Sequence, residues 1–572
     1  MSAAPQHYSA LLETLKTYFP TPVSNPIMDC YFVHTVSIFL DRVDRLKSAA
    51  PILGRKREAD YHRHLAGVMP EQMSSLEEVT ALLANYCRGM TIWSHPNAQA
   101  NVIPPPSIAS ITAFIAAAVY NPNIIWDEYS ARFAEAEVEV VAALANLAGY
   151  DAAEAGGVFT FGGTGTILYG LKLALERMTA GRGMKAGIRE DFKILASGAS
   201  HYSRLNAAAW LGLGSDNLIT IPSTAQNEIS LTHLERALRD CYQQGQRVAA
   251  IILTLGTTDA FGLDDLPAVV RLRDQLAAEF GLTEHQLPWI HADAVIGWPW
   301  LVFRDYDFEA NPLGFHSRTL RSLQDSLERI QPLHLADSIG IDFHKTGYAP
   351  YISSLFLVKR RADLTLLSRA PAEMPYLYQF GHYHPGLFTL ECSRSGAGAL
   401  AALANLRLLG KQGYRVILGH SVEMSEVLRE GLESLDCAQV LNDYNYGPVT
   451  LFRLYPEGVD AAAAYHRELT DPDYRAELER HNAYNRRLFH WTHERALAGE
   501  GVLLSWTDAY RHTLDGQAPI AAIKSFVMSP WTDRRAMDKV LSQVLEARQH
   551  IGAAETESGD GAREDTHGSG SR

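Results

Sequence analysis

The sequence predicts an α/β protein with a large, mostly parallel sheet domain, an N-terminal helical segment before it and a smaller C-terminal α/β domain after it. Three observations predict this. From Val158 to Val358 short apolar runs alternate with amphipathic stretches, the pattern of a parallel sheet covered by helices. After about Arg394 the pattern changes to long helical stretches with a few short strands. At 572 residues the chain is too long for one small core.

Taken in order, residues before about Asn97 read as helices with a Pro-rich break at Phe19–Pro26. A second break, Ile103-Pro104-Pro105-Pro106-Ser107, precedes an apolar helix over Ile108–Tyr120. Phe133, Val140, Val141, Leu144 and Leu147 recur at helical spacing, with Glu135, Glu137 and Glu139 between them. Phe192–Ala196, Val248–Leu255, Trp289–Ala292 and Ile352–Val358 read as strands. Thr470–Glu500 is helical in pattern and carries no assigned chemistry. From Ile551 the chain has almost nothing apolar and is expected to be disordered. The expected divisions are residues 1–100, 101–394, 395–550 and a tail, 551–572.

Composition narrows the function. A 47% hydrophobic and 20% charged chain is an ordinary globular one, and a net charge of −14 disfavours nucleic acid or a membrane surface as a general partner. Five scattered cysteines without a Cys-x-x-Cys pair give no zinc ribbon, redox dithiol or secreted disulfide framework, and no metal site is expected. No signal peptide is visible, and Ile108–Tyr120 is shorter than the roughly 20 residues of a membrane span. A cytoplasmic setting is expected.

Five pieces carry chemistry. Ser338–Tyr348 is an apolar strand running into Asp342-Phe343-His344-Lys345. An amine there is expected to be desolvated, which lowers a lysine pKa and frees the nucleophile. In Trp289-Ile290-His291-Ala292-Asp293, an aspartate at an apolar strand end needs a cationic or hydrogen-bonding partner; a protonated pyridine nitrogen or a structural ion pair would serve. Together the two strands suggest an imine-forming lysine that holds pyridoxal phosphate.

Phe159–Thr166, with Gly162-Gly163-Thr164-Gly165, opens a helix and suits either a phosphate or a plain tight turn. It lacks the third glycine of a dinucleotide fingerprint and the Gly-Lys-Ser/Thr ending of a P-loop. His201 follows a strand and faces the crevice where parallel sheets bind ligands, or else caps a helix entry. Leu253–Asp259 ends a further strand in hydroxyl residues that could pack under a planar ring or form an ordinary loop.

These motifs, in this order, resemble the group II pyridoxal-phosphate-dependent amino-acid decarboxylases, the family of aromatic-amino-acid, glutamate and bacterial tyrosine decarboxylases. The resemblance runs from His95-Pro96-Asn97-Ala98-Gln99-Ala100-Asn101 to Ser525–Pro530. It implies a fold-type I architecture with a seven-stranded sheet and a homodimer with shared active sites. Lys345 would bind the cofactor, Asp293 would pair with its ring nitrogen and His201 would stack on its ring. Gly163 and Thr164 would cradle the phosphate, helped by Asp342 and His344, with Thr258 close by. His95, Asn97, Gln99 and Arg394 would meet the substrate. Tyr376, with Tyr378 in reserve, would protonate the substrate carbon once carbon dioxide has left.

The sequence departs from the family at Gly165 and Ile167, where many members have Glu and Asn. Thr346-Gly347-Tyr348-Ala349-Pro350-Tyr351 is closer to the bacterial tyrosine enzymes. The expected activity is decarboxylation of an L-amino acid, an aromatic one such as tyrosine. The rivals are oxidative deamination or a lyase reaction on the same cofactor, a nicotinamide oxidoreductase, and a non-catalytic relative.

Overall fold

The computed structural model describes residues 8–564 apart from 57, 376–379 and 443–446. Side chains of residues 554–564 lie outside that description. Four helices, α1 (Tyr8–Lys16), α2 (Pro26–Asp44), α3 (Tyr61–Leu65) and α4 (Leu76–Tyr86), form the N-terminal segment. Asn25 caps α2 by accepting from the amides of Ile27 and Met28, and Pro26 occupies its first turn, where a missing N–H costs nothing. The Pro-rich break ends at Ser107, which caps α5 (Ile108–Tyr120); Asn121, left-handed at φ 46°, closes it.

After α6 (Asp127–Ser130) and α7 (Arg132–Ala148) comes the main sheet. Its strands are β1 (Gly156–Thr160), β2 (Phe192–Ser197), β3 (Leu218–Ile221), β4 (Arg247–Thr254), β5 (Trp289–Asp293), β6 (Ser338–Asp342) and β7 (Ser354–Val358). They are ordered β1-β7-β6-β5-β4-β2-β3, the seven strands that the family resemblance implies. Neighbours from β6 to β3 are parallel, whereas β7 runs antiparallel to both β6 and β1. The strands are continuous apolar runs because both faces are covered.

On one face lie α8 (Gly163–Met178), α9 (Gly183–Ala186) and α10 (Ser203–Trp210). The other carries α7, α11 (Leu231–Gln243), α12 (Leu266–Phe280) and α13 (Ser317–Ile330). Each fully buried Leu, Ile or Val there stabilises by about 1.5–3 kcal/mol.

Helix α14 (Ala397–Glu433) leads from this face into the smaller domain and breaks at Gly410, whose φ of 54° favours glycine. The second sheet holds β8 (Ala438–Val440), β9 (Val449–Leu454), β10 (Ser505–His512) and β11 (Pro519–Phe526), all antiparallel and ordered β10-β11-β9-β8. It packs against α16 (Arg475–Leu497), which follows α15 (Ala461–Thr470), and against α17 (Arg534–Glu564).

One expectation is corrected here. Helix α17 does not stop near Ile551 but continues to Glu564. Met537, Val540, Val544, Ala547 and Ile551 anchor its first half in the core. Adding turns to an anchored helix avoids the nucleation step that an isolated polar segment faces.

Candidate active site

Strands β2, β4, β5 and β6 are parallel, so their C-terminal ends open on one edge of the sheet, the side where such sheets hold ligands. Alternation of side chains puts His291, Asp293 and Asp342 on the α8 face. Lys345, just past β6, extends its Nζ to 2.9 Å from Asp342 Oδ2. His344 Nε2 lies 3.5 Å from the same oxygen, and Ser354 Oγ donates to Oδ1 at 2.5 Å.

Burial alone would push the Lys345 amine down, but the Asp342 and Asp293 carboxylates outweigh it and the net shift is upward. The sequence expectation of a lowered lysine pKa is thereby corrected: two buried carboxylates hold the amine as ammonium. Asp342 is held low because Lys345, His344 and Ser354 overcome its burial.

Asp293 is the opposite case. It is 4% exposed, and among the described residues its one hydrogen bond is a long one, accepted from the Val295 amide at 3.4 Å. Desolvation pushes its carboxyl up to about 6, against the pull of Lys345. A buried carboxylate so poorly satisfied is prepared for a cation.

The turn before α8 begins at Gly162, φ 109°, which suits glycine alone. The first amides of α8, from Gly163 and Thr164, have no intrahelical acceptor. A Cβ on Gly163 would stand 3.1 Å from Asp342 Oδ2, so a bulkier residue would close the space between turn and strand. Lys345, the underbonded Asp293 and this open helix terminus together fit an aldehyde-bearing phosphate with a protonated ring nitrogen.

His201 is half-buried and feels Lys345, Asp342 and Asp259; burial, then Lys345, pushes its pKa down. Its Nδ1 faces the hydroxyl of Ser203 at 2.9 Å and the Ser203 amide at 3.3 Å, which leaves the ring proton on Nε2. Thr258 is half-buried, in the loop that Thr257 fastens by accepting from the Gly262 amide. Tyr351 packs over His344, ring centres 4.1 Å apart.

Of the four expected substrate contacts, Gln99 and Arg394 are engaged by other parts of the chain. His95 Nδ1 accepts from the Asn97 amide, and Asn97 O accepts from Leu503. Gln99 is fully buried: its side-chain oxygen accepts from Ser525 Oγ at 2.7 Å, and its amide nitrogen donates to Pro96 O. Gln99 thus ties the N-terminal segment to β11 instead of facing a substrate.

Arg394 is likewise engaged. Its terminal nitrogens pair with Glu137 at 2.5 and 3.1 Å and donate to the carbonyls of Phe159 and Ile124. Tyr376 and Tyr378 lie outside the described residues. Among the described residues no cluster of His, Cys, Asp or Glu could hold a metal.

Two groups escaped the sequence reading. Lys524, buried in β11, donates to Asp259 at 2.8 Å and so joins the smaller domain to the loop carrying Thr258. A lysine inside an apolar strand was the available signal, the same one that marked Lys345. Glu391 accepts from Thr160 Oγ1 at 2.5 Å and from Tyr169 at 2.6 Å. A Cβ at Gly165 would meet Thr160 Oγ1 at 2.5 Å, so the glycine that departs from the family pattern makes room for this bond.

A family profile described as the pyridoxal-dependent decarboxylase conserved domain matches residues 69–455. The chain belongs to that family. It is a pyridoxal-phosphate-dependent amino-acid decarboxylase, and its relatives differ in substrate. An L-2,4-diaminobutyrate decarboxylase of Acinetobacter baumannii is 25% identical over 381 residues, 64% of this chain and 68% of that protein. An L-tyrosine decarboxylase of Enterococcus faecium is 27% identical over 262 residues, 42% of this chain and 41% of that one. Among solved structures, Oryza sativa TDC with PLP and tryptamine shares the decarboxylase's fold, with a TM-score of 0.73 at 18% identity over 93% of this chain and 99% of that chain.

Proposed function

We propose that this decarboxylase acts on an aromatic L-amino acid such as tyrosine, releasing the amine and carbon dioxide from a site built on Lys345. The observation that carries the reading is Lys345 Nζ paired with Asp342 Oδ2 at 2.9 Å, with the charge of the underbonded Asp293 acting on the same amine. For the substrate, support comes from the relatives named as tyrosine decarboxylases and from the Thr346–Tyr351 sequence.

Pyridoxal phosphate, when bound, supplies a conjugated pyridinium ring that accepts the electron pair left by carbon dioxide. The chain's own residues prepare for it. Asp293 would hold the proton on the ring nitrogen, since a carboxyl raised to about 6 by burial ionises readily beside a cation. Asp342 orients the Lys345 amine and balances its positive charge. The amides of Gly163 and Thr164 would cradle the phosphate, helped by Asp342 and His344, with Thr258 close to the cofactor. His201 keeps its proton on Nε2 because the Ser203 amide takes Nδ1. His95 and Asn97 border the substrate, and Tyr376 delivers the final proton.

The working unit is a homodimer. Helices α1, α2, α3 and α4 bury no residue, and Ile27, Val33, Leu40 and Leu82 lie open on them, apolar surface that a second copy would cover. We place it in the cytoplasm: all five cysteines are free, and among the described residues no helix is long and apolar enough to cross a membrane.

The test is the cofactor-loaded protein against a panel of L-amino acids that includes tyrosine and 2,4-diaminobutyrate. Carbon dioxide, amine, ammonia and peroxide are measured together. Equal amine and carbon dioxide from tyrosine is the expected result. Turnover of diaminobutyrate alone would overturn the aromatic assignment, and aldehyde with ammonia and peroxide would replace decarboxylation with the oxidative reaction.

A further inference from the structure

A cavity of ≈ 650 Å³ lies on the face of the sheet opposite α8, between α7, the turn Trp298–Phe303 and α14 at its Gly410 break. That volume is in the range of small-molecule sites. Its walls are apolar, with Leu144, Leu301 and Leu403 among them.

Its back wall reaches the catalytic segment. Trp298 Nε1 donates to the carbonyl of Asp342 at 3.2 Å, and Tyr414 OH donates to the carbonyl of Gly347 at 3.1 Å. The two rings meet edge to face, 5.6 Å between centres. Lys345 therefore hangs between two backbone carbonyls that are both braced from this cavity.

The rim is charged. Arg407 pairs with Glu139, and Lys411 with Asp305, all four substantially exposed; Arg304 adds a further cation. In a chain of net charge −14, this mouth carries three cations against two anions. Exposed pairs of this kind hold their partners weakly and exchange them readily.

We propose that this cavity is a second ligand site, for a monocarboxylate with an apolar aromatic or medium-length aliphatic body, and that its occupation tightens cofactor binding. The body fills the space against Trp298 and Tyr414 while the carboxylate meets Lys411 and Arg407. Seating a ligand against these side chains stiffens the backbone on both sides of Lys345. By linkage the cofactor then raises ligand affinity by the same factor. The coupling rests on the reading of Lys345 as the cofactor lysine; the binding does not.

The probe is 3-phenylpropionate, titrated by calorimetry and by tryptophan fluorescence against loaded and cofactor-free protein. Saturable binding with a Kd near or below about 1 mM is expected, with affinity about fivefold tighter in the loaded form. Ala143→Trp, at an exposed position of α7 facing the cavity, should abolish it while the cofactor's visible band stays unchanged. Lys411→Glu should weaken it about tenfold. Lys345→Ala protein should still bind the probe, which separates failure of this site from failure of the lysine assignment. No saturation below about 10 mM, or an isotherm indifferent to Ala143→Trp, would overturn the site. Equal affinity in the two forms would overturn the coupling.

Discussion

Two buried charge clusters flank the same turn, and they are satisfied to opposite degrees. Around Glu137 and Arg394, both side chains nearly inaccessible, the carboxylate accepts from Arg394, Tyr383 and the Phe159 amide, and Arg394 also donates to two carbonyls. Around Lys345, one ammonium faces two carboxylates, and Asp293 has a single long hydrogen bond. The first cluster clamps the chain after the 376–379 segment onto β1. The second is left wanting a ligand. Burial of charge marks both; the missing partner separates a site from a brace.

The largest effect expected is from Lys345→Ala, which should remove the visible absorbance of lysine-bound cofactor and lower kcat by about 10³-fold or more. An unchanged spectrum would refute the lysine assignment. Next comes a crossed pair of substitutions. Glu137→Ala strands the Arg394 guanidinium and should cost about 3–5 kcal/mol, read as a large drop in the thermal midpoint. Asp293→Asn should leave the cofactor-free midpoint unchanged or raise it, yet cut kcat by about 10²–10³-fold. If both variants lost stability alike, the contrast between the clusters would collapse.

A smaller effect is in pH. The folded state raises the Asp293 carboxyl from 3.8 to about 6, so folding favours its protonated form. Its contribution to stability is full below about 3.8 and is lost as pH rises through about 6, on the order of 2–3 kcal/mol. A ring-nitrogen cation reverses that loss. The gap in midpoint between loaded and cofactor-free protein should therefore widen across this window, and Asp293→Asn should flatten it. Asp264, pushed up to about 7 by burial, is a brace common to both forms and cancels in the difference. Smallest of all, Arg394→Lys should leave KM within about twofold, because the guanidinium serves Glu137; a tenfold rise would return it to the substrate.

The sequence carried the strands and singled out Lys345 and Asp293 because apolar runs with one misplaced charge are local signals. Helix α5 matched its predicted span residue for residue. The partners of Gln99 and Arg394 were not legible, since Ser525 and Glu137 stand hundreds of residues away along the chain. Glu137 did leave a trace. Four residues after Phe133 and four before Val141, it sits on the apolar face of α7, whereas Glu135 and Glu139 do not. The direction of the Lys345 shift was illegible for another reason: desolvation can be read from an apolar strand, but the distance to two carboxylates cannot.

Strand β1 pairs with β7 and sits at the sheet edge, Gly156 opposite Val358. The turn that follows β1 is thus made early in synthesis but has no place in the sheet until the chain has reached Val358. Long-range pairing of this kind is slow and leaves an unpaired strand exposed meanwhile. The cleft proposed for the cofactor is accordingly among the last parts of the large domain to assemble, and a nascent chain halted before Ser354 would have no seat in the sheet for the turn after β1.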